Sequence, residues 1–268
     1  MIKKLVSGFI KEQVQKRGSI IIAHTPKESV VSLIDKLHPY SIDKELIRLG
    51  PNGDGGYLVP DDLLGIEACF SPGVDQISEF EADCLKRGMQ IFLADKSVDK
   101  PKLNLASDKY NFLKKHIGIT NNEDFITMDE WVKSGRLDEK SDLLLQMDIE
   151  GGEYFSLINI SDSLIKRFRI MVIEFHDFWH FWDPHFYGLA EAVFDKILQT
   201  HTCVHIHPNN CCEINDQYDV ELPLVAEFTF IRNDRINSKN YQTNFPHKLD
   251  YDNTGYAHIS LPKNWYKH

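Results

Sequence analysis

Four short, nearly continuous apolar runs narrow the folds open to this chain more than any other feature. They lie at residues 66–70, 90–94, 143–147 and 170–173, and turn-rich or helical segments separate them. The sharpest is Leu143-Leu144-Leu145-Gln146-Met147, which stops at Asp148. Such a run, bounded by turns, reads as a strand buried on both faces. A third strand is expected within 111–119, and later ones at 203–206 and 225–231. Helices are expected at 78–87, from 128 to 133 and at 188–199. Strands alternating with helices imply βαβ units and an α/β fold with a mostly parallel sheet. Ligands in such sheets bind beyond the carboxyl ends of the strands.

The residues at those ends are the candidates for chemistry. Gly73 follows the first expected strand, Asp95 the second, Asp148 and Glu150 the fourth, and Glu174, His176 and Asp177 the fifth. A glycine in the first strand-to-helix turn lets the backbone approach a ligand closely. An acid at the next strand end can accept hydrogen bonds from ribose hydroxyls. The plainer reading makes Gly73 a loop glycine and Asp95 a solvated carboxylate. Asp148, Glu174 and His176 offer oxygen and imidazole donors suited to Mg²⁺ or Mn²⁺. Without a metal, Asp148 or His176 can act directly as a base. Glu150 and Glu153 can instead cap the following helix, where carboxylates suit the dipole.

The remaining features bound the setting. A net charge of −10 argues against a general nucleic-acid binder, which needs clustered positive charge. The apolar run Ile20-Ile21-Ile22 is too short for a transmembrane segment. Five cysteines without a C-x-x-C pair fit reduced thiols and a cytoplasmic location. Residues 1–47 read as an N-terminal helical cap, with apolar residues at helical spacing over 29–37 and 41–47, and residues 48–268 as the main domain. Ser78-Glu79-Phe80-Glu81 carries the signature of a capping box, with Glu81 reaching back to the Ser78 N–H. The run from Phe175 to His185 is dense in aromatics; it suits sugar recognition, or equally a pinned lid or the contact of a homo-oligomer. His205 and His207, at strand spacing, point the same way and form a candidate metal pair.

The segment Asp148-Ile149-Glu150-Gly151-Gly152-Glu153 resembles the D-x-E-G-x-E signature of FkbM-type methyltransferases. Asp54-Gly55-Gly56-Tyr57 is similar to a D-G-G-Y element of that family, and Gly73 with Phe80-Glu81 to its G-x₆-F-E loop. Thr127-Met128-Asp129-Glu130-Trp131 is similar to its T-L-D-x-W segment, and Glu174-Phe175-His176 to its strand-end E-x-H. The resemblance spans residues 48–180, except that Ser71-Pro72-Gly73 replaces the usual D-x-G-A-x-x-G loop. It implies a Rossmann-like class I methyltransferase sheet, mostly parallel with the last strand antiparallel. It also implies transfer of a methyl group from S-adenosyl-L-methionine to a hydroxyl, often on a sugar, so that the partner is a small-molecule or glycan acceptor. In that reading Asp54, Gly55, Gly56, Tyr57, Ser71, Gly73, Glu81 and Asp95 serve the cofactor. Asp148, Glu174 and His176 activate the acceptor, with or without a metal. Two other readings stand beside it: a metal-dependent hydrolase using Asp148, Glu174, His176, His205 and His207, and a catalytically silent nucleotide-binding fold.

Overall fold

The computed structural model describes Lys16 and residues 23–74, 78–101 and 106–267. The expectations for Ile20-Ile21-Ile22 and for the rest of the first 22 residues, other than Lys16, lie outside the described residues. Seven strands form the central sheet: β1 (Ile66–Pro72), β2 (Gln90–Ala94), β3 (Asn111–Leu113), β4 (Asp142–Met147), β5 (Phe168–Phe175), β6 (His201–Pro208) and β7 (Ala226–Arg232). Their spatial order is β6-β7-β5-β4-β1-β2-β3. The pairs β1–β2, β1–β4, β2–β3 and β4–β5 are parallel, whereas β7 runs antiparallel to both β5 and β6. This is the Rossmann-like class I methyltransferase sheet, with its single reversed strand.

The apolar runs form strands because both faces of the sheet are covered. Leu143, Leu145 and Met147 of β4 enter one core cluster with Phe175, Phe194 and Phe228, while Leu144 enters the opposite cluster with Val59, Cys69 and Leu93. Helices α1 (Lys27–Leu37), α3 (Met128–Ser134), α4 (Glu153–Asn159), α5 (Asp162–Ile165) and α6 (Pro184–Leu198) supply buried residues to the first cluster; α2 (Glu79–Lys86) serves the second. α1 contributes Val30, Leu33, Ile34 and Leu37 to the same core as the sheet. α3 is capped by Thr127, whose side chain accepts the Glu130 N–H, and Trp131 packs edge-on against Phe70. The family-like segment at 127–131 is therefore a cap and a core anchor.

Two local expectations are corrected, for residues 41–47 and for the capping box. Residues 41–47 do not form a helix: Tyr40–Ile42 pairs with Lys239–Tyr241, and Leu46–Leu49 with Tyr57–Pro60. Partners distant in the chain outweigh the weak local helical spacing. The third strand falls within 111–119 as expected: Asn111–Leu113 joins the sheet, and His116–Ile117 pairs separately with Phe125–Ile126. The capping box does not form: Ser78 makes no side-chain cap, and buried Glu81 instead accepts the Ser71 hydroxyl at 2.5 Å. The Phe and Trp rings of the aromatic stretch lie mostly in the core. Phe175, Phe178, Phe181 and Trp182 are buried, with Phe178 stacked on Phe228 at 5.7 Å; Trp179 is the exposed ring.

No helix among the described residues is long and apolar enough to cross a membrane.

Candidate active site

A cleft of about 820 Å³ opens at the carboxyl ends of the strands. Of the residues expected there, Asp54, Gly55, Tyr57, Gly73, Glu81, Asp95, Asp148, Glu174 and His176 line it. Gly56 and Ser71 do not. Gly56 packs where an added Cβ would strike the Pro51 carbonyl and the Arg48 guanidinium. Ser71 is buried behind the wall, bonded to Glu81 and to Gln146 at 2.6 Å, and Gln146 reaches the Tyr57 hydroxyl at 3.3 Å.

One side of the cleft belongs to β1 and β2. Gly73 has φ +87°, and a Cβ there would lie 1.4 Å from the Asp148 carbonyl oxygen. The glycine is therefore required by a main-chain crossing of the loops after β1 and β4, whatever ligand lies beside it. Asp95 ties the same edge together, accepting the Val74 N–H on Oδ2 at 3.1 Å and the Ser97 N–H on Oδ1 at 2.6 Å. Ile117 and Phe125 continue this wall.

The other side is acidic. One donor atom from each of Asp148, Glu174 and His176 falls within 4.8 Å of the others. His176 Nε2 is 3.9 Å from Asp148 Oδ1, 3.8 Å from Glu174 Oε1 and 3.6 Å from Glu150 Oε2. Glu174 Oε1 accepts the Asn209 side-chain N–H at 3.0 Å. Asp148 Oδ1 and Glu174 Oε2 are buried without a hydrogen-bond partner among the described residues. Burial pushes Asp148 up to about 7; the charges of Glu150, Glu153 and Asp54 add to this, and His176 opposes it. Burial also raises Glu174 well above the carboxylate range, with Asp148 and Glu227 adding to it. His176 is raised as well: burial disfavours its charged form, but Glu153, Asp148 and Glu150 outweigh that. Asp148, Glu150, Glu153 and Glu174 all lie within 4 Å of the one imidazole, so four carboxylates share a space with too little positive charge.

His205 and His207 do not join this group. His205 Nε2 sits 2.9 Å from Asp250 Oδ1 and His207 Nδ1 3.7 Å from Asp250 Oδ2, in a buried cluster with Glu227. The histidines share a face as expected, but a carboxylate from residue 250 occupies the space between them. The five-residue set of the hydrolase reading is therefore not assembled. Sequence reasoning missed Asn209, Gln146, Cys211, Cys212 and Thr254, all of which line the cleft. Asn209 follows β6 directly, so the strand-end reasoning that selected Asp95 also points to it.

Residues 82–202 match the methyltransferase FkbM domain, the family that the motifs resemble. No curated protein matches the chain. Among solved structures, the chain is similar to the fibrillarin pre-rRNA processing protein of Methanococcus jannaschii, at 10% identity over 71% of this chain and 83% of that one, with a TM-score of 0.38. The domain match and the strand order of the sheet together support an S-adenosylmethionine-dependent methyltransferase.

Proposed function

We propose that the chain is an O-methyltransferase that uses S-adenosyl-L-methionine to methylate a sugar hydroxyl of a glycan, glycolipid or glycosylated metabolite. The observation that carries this reading is one cleft holding both the Gly73–Asp95 edge and the Asp148–Glu174–His176 cluster. Its volume of about 820 Å³ leaves room for a cofactor and part of an acceptor. Asp95 lines this cleft, and in this reading it binds the ribose hydroxyls. Asp54, Gly55, Tyr57, Gly73 and Glu81 line the same space. Support for a sugar comes from the family resemblance, since the aromatic stretch is occupied in the core.

Methyl transfer to an alcohol forms a C–O bond as a C–S bond breaks, and the hydroxyl must lose its proton. The acidic side suits that task. Asp148, held at about 7, can take a proton at its unpaired Oδ1 near neutral pH. The same side fits a divalent cation: two buried oxygens lack partners, and the donor set is two carboxylates and an imidazole. Bound by Asp148, Glu174 and His176, Mg²⁺ or Mn²⁺ would add Lewis acidity that acidifies the acceptor hydroxyl. Asn209 holds Glu174 Oε1, leaving Oε2 free for this role.

Thermal-shift measurements with S-adenosylmethionine, S-adenosylhomocysteine and Mn²⁺, singly and together, test the reading. Either cofactor form should raise Tm, and Mn²⁺ should raise it separately. Absence of any shift with both cofactor forms would sink the methyltransferase reading; absence with Mn²⁺ alone would remove only the metal. Transfer of labelled methyl groups to a panel of glycosides then tests the acceptor class.

A further inference from the structure

Glu153 is a fully buried carboxylate at the start of α4, with 0% of its surface exposed. Its Oε1 accepts the N–H groups of Ile149 at 2.9 Å and Gly151 at 3.3 Å. Those residues belong to the loop that carries Asp148 and Glu150. The loop winds tightly around the carboxylate, with Glu150 at φ 55° and Gly151 at φ 94°. The same Oε1 lies 3.3 Å from His176 Nδ1, within ion-pair reach of a buried ring nitrogen that has no well-formed hydrogen bond to any described residue. Bracing two N–H groups needs only an oxygen, which an amide supplies without the cost of burying a charge. A charge there also suits the N-terminus of α4, but of the groups Oε1 approaches only the imidazole can carry a compensating proton.

A neutral imidazole carries one N–H, and the partner of one ring nitrogen decides which nitrogen is left with the lone pair. The carboxylates near Nε2 stand at 3.6, 3.8 and 3.9 Å, farther than Glu153 stands from Nδ1. We propose that Glu153 is a positioning residue that holds His176 as the Nδ1–H tautomer and so turns the Nε2 lone pair toward Asp148 and Glu174. A carboxylate behind a ligating or proton-accepting histidine fixes the ring and raises its basicity. This rests on the reading of Asp148, Glu174 and His176 as the acceptor-activating group, but it is testable without metal, cofactor or acceptor.

The experiment is ¹⁵N NMR of the imidazole groups in the full-length, metal-free protein, at a pH where His176 is neutral. The His176 signals are assigned by their loss in His176→Asn. Wild type should show the Nδ1–H tautomer, and Glu153→Gln should shift the ring toward Nε2–H. A wild-type ring in the Nε2–H form, or a tautomer unchanged in Glu153→Gln, overturns the proposal. If Glu153→Gln does not fold, the wild-type tautomer decides by itself. Mn²⁺ titration followed by EPR gives a second readout. Glu153→Gln should bind about 10–100-fold more weakly, with Tm and S-adenosylhomocysteine affinity unchanged. A fall in Tm and cofactor affinity with the tautomer retained marks a merely structural residue and overturns it. If wild type binds no Mn²⁺, the metal part of the proposed function fails, and the tautomer still decides the role of Glu153.

Discussion

Replacing Gly73 by alanine should damage the site far more than its backbone conformation alone predicts, and Gly88 provides the internal control. Both glycines sit at φ +87°. An L-residue in that region costs roughly 1–2 kcal/mol at either position. At Gly88 an added Cβ meets nothing within 4 Å, whereas at Gly73 it lies 1.4 Å from the Asp148 carbonyl oxygen and 2.6 Å from the carbonyl carbon. Ordinary contact begins near ~3.5 Å, so the Asp148 main chain must retreat by about 2 Å. Misplacing a reacting group by about 1 Å can cost on the order of 10²-fold in rate. Gly88→Ala should therefore lose about 1–2 kcal/mol in urea unfolding and keep its affinity for S-adenosylhomocysteine. Gly73→Ala should lose about 1–3 kcal/mol more, and its methyl transfer or Mn²⁺ binding should fall at least ~10²-fold. Equal stability losses in the two variants, with an intact site in Gly73→Ala, would refute the main-chain crossing as the reason for this glycine.

Three further outcomes are expected. Asp95→Ala should weaken S-adenosylhomocysteine binding by roughly 10–100-fold, as loss of charge-assisted hydrogen bonds predicts; unchanged affinity in calorimetry removes Asp95 from the ribose. Asp148→Asn should abolish transfer yet raise the Tm of the ligand-free protein near pH 8, because it removes a charge that burial and its neighbours disfavour; a lower Tm contradicts the charge crowding. Burial holds His201 down to about 4 and the Arg232 charge adds to this, against the opposing effect of the ring's hydrogen bond to the Phe168 carbonyl at 2.7 Å. Its folded value lies below the unfolded one, so its stabilisation is complete above about pH 6.5 and is lost as pH falls toward 4, roughly 3 kcal/mol in all. Urea unfolding of wild type and His201→Asn at pH 7 and pH 4.5 checks this: the difference between the proteins should shrink at the lower pH, and a constant difference contradicts the burial argument.

The sheet was legible because strands buried on both faces leave an unmistakable trace: Leu143-Leu144-Leu145 serves two cores at once. The acids at the strand ends were legible for a related reason, since a carboxylate directly after an apolar run has few structural uses. The partners were not legible. Nothing in the spacing of Ser78 and Glu81 shows that Glu81 is buried against Ser71, because that contact depends on how α2 settles over β1. Periodicity also could not separate the hairpin at 46–60 from a helix, since its stabilising hydrogen bonds come from residues beyond the turn. His205 and His207 read as a free pair only because their occupant, Asp250, lies so far along the chain.

The place of β7 has a consequence for how the protein is made. This strand sits between β5 and β6 in the sheet but follows both in the chain. Until the ribosome has delivered residues 226–232, β6 has no neighbour to join and β5, which carries Glu174, presents a bare edge. Unpaired strand edges recruit other strands, and slow completion leaves nascent chains open to aggregation. Trp265 arrives later still and fills the core beside Phe178 at 5.5 Å and Phe228 at 5.9 Å. The acidic edge of the cleft thus belongs to the last part of the sheet to be completed during synthesis.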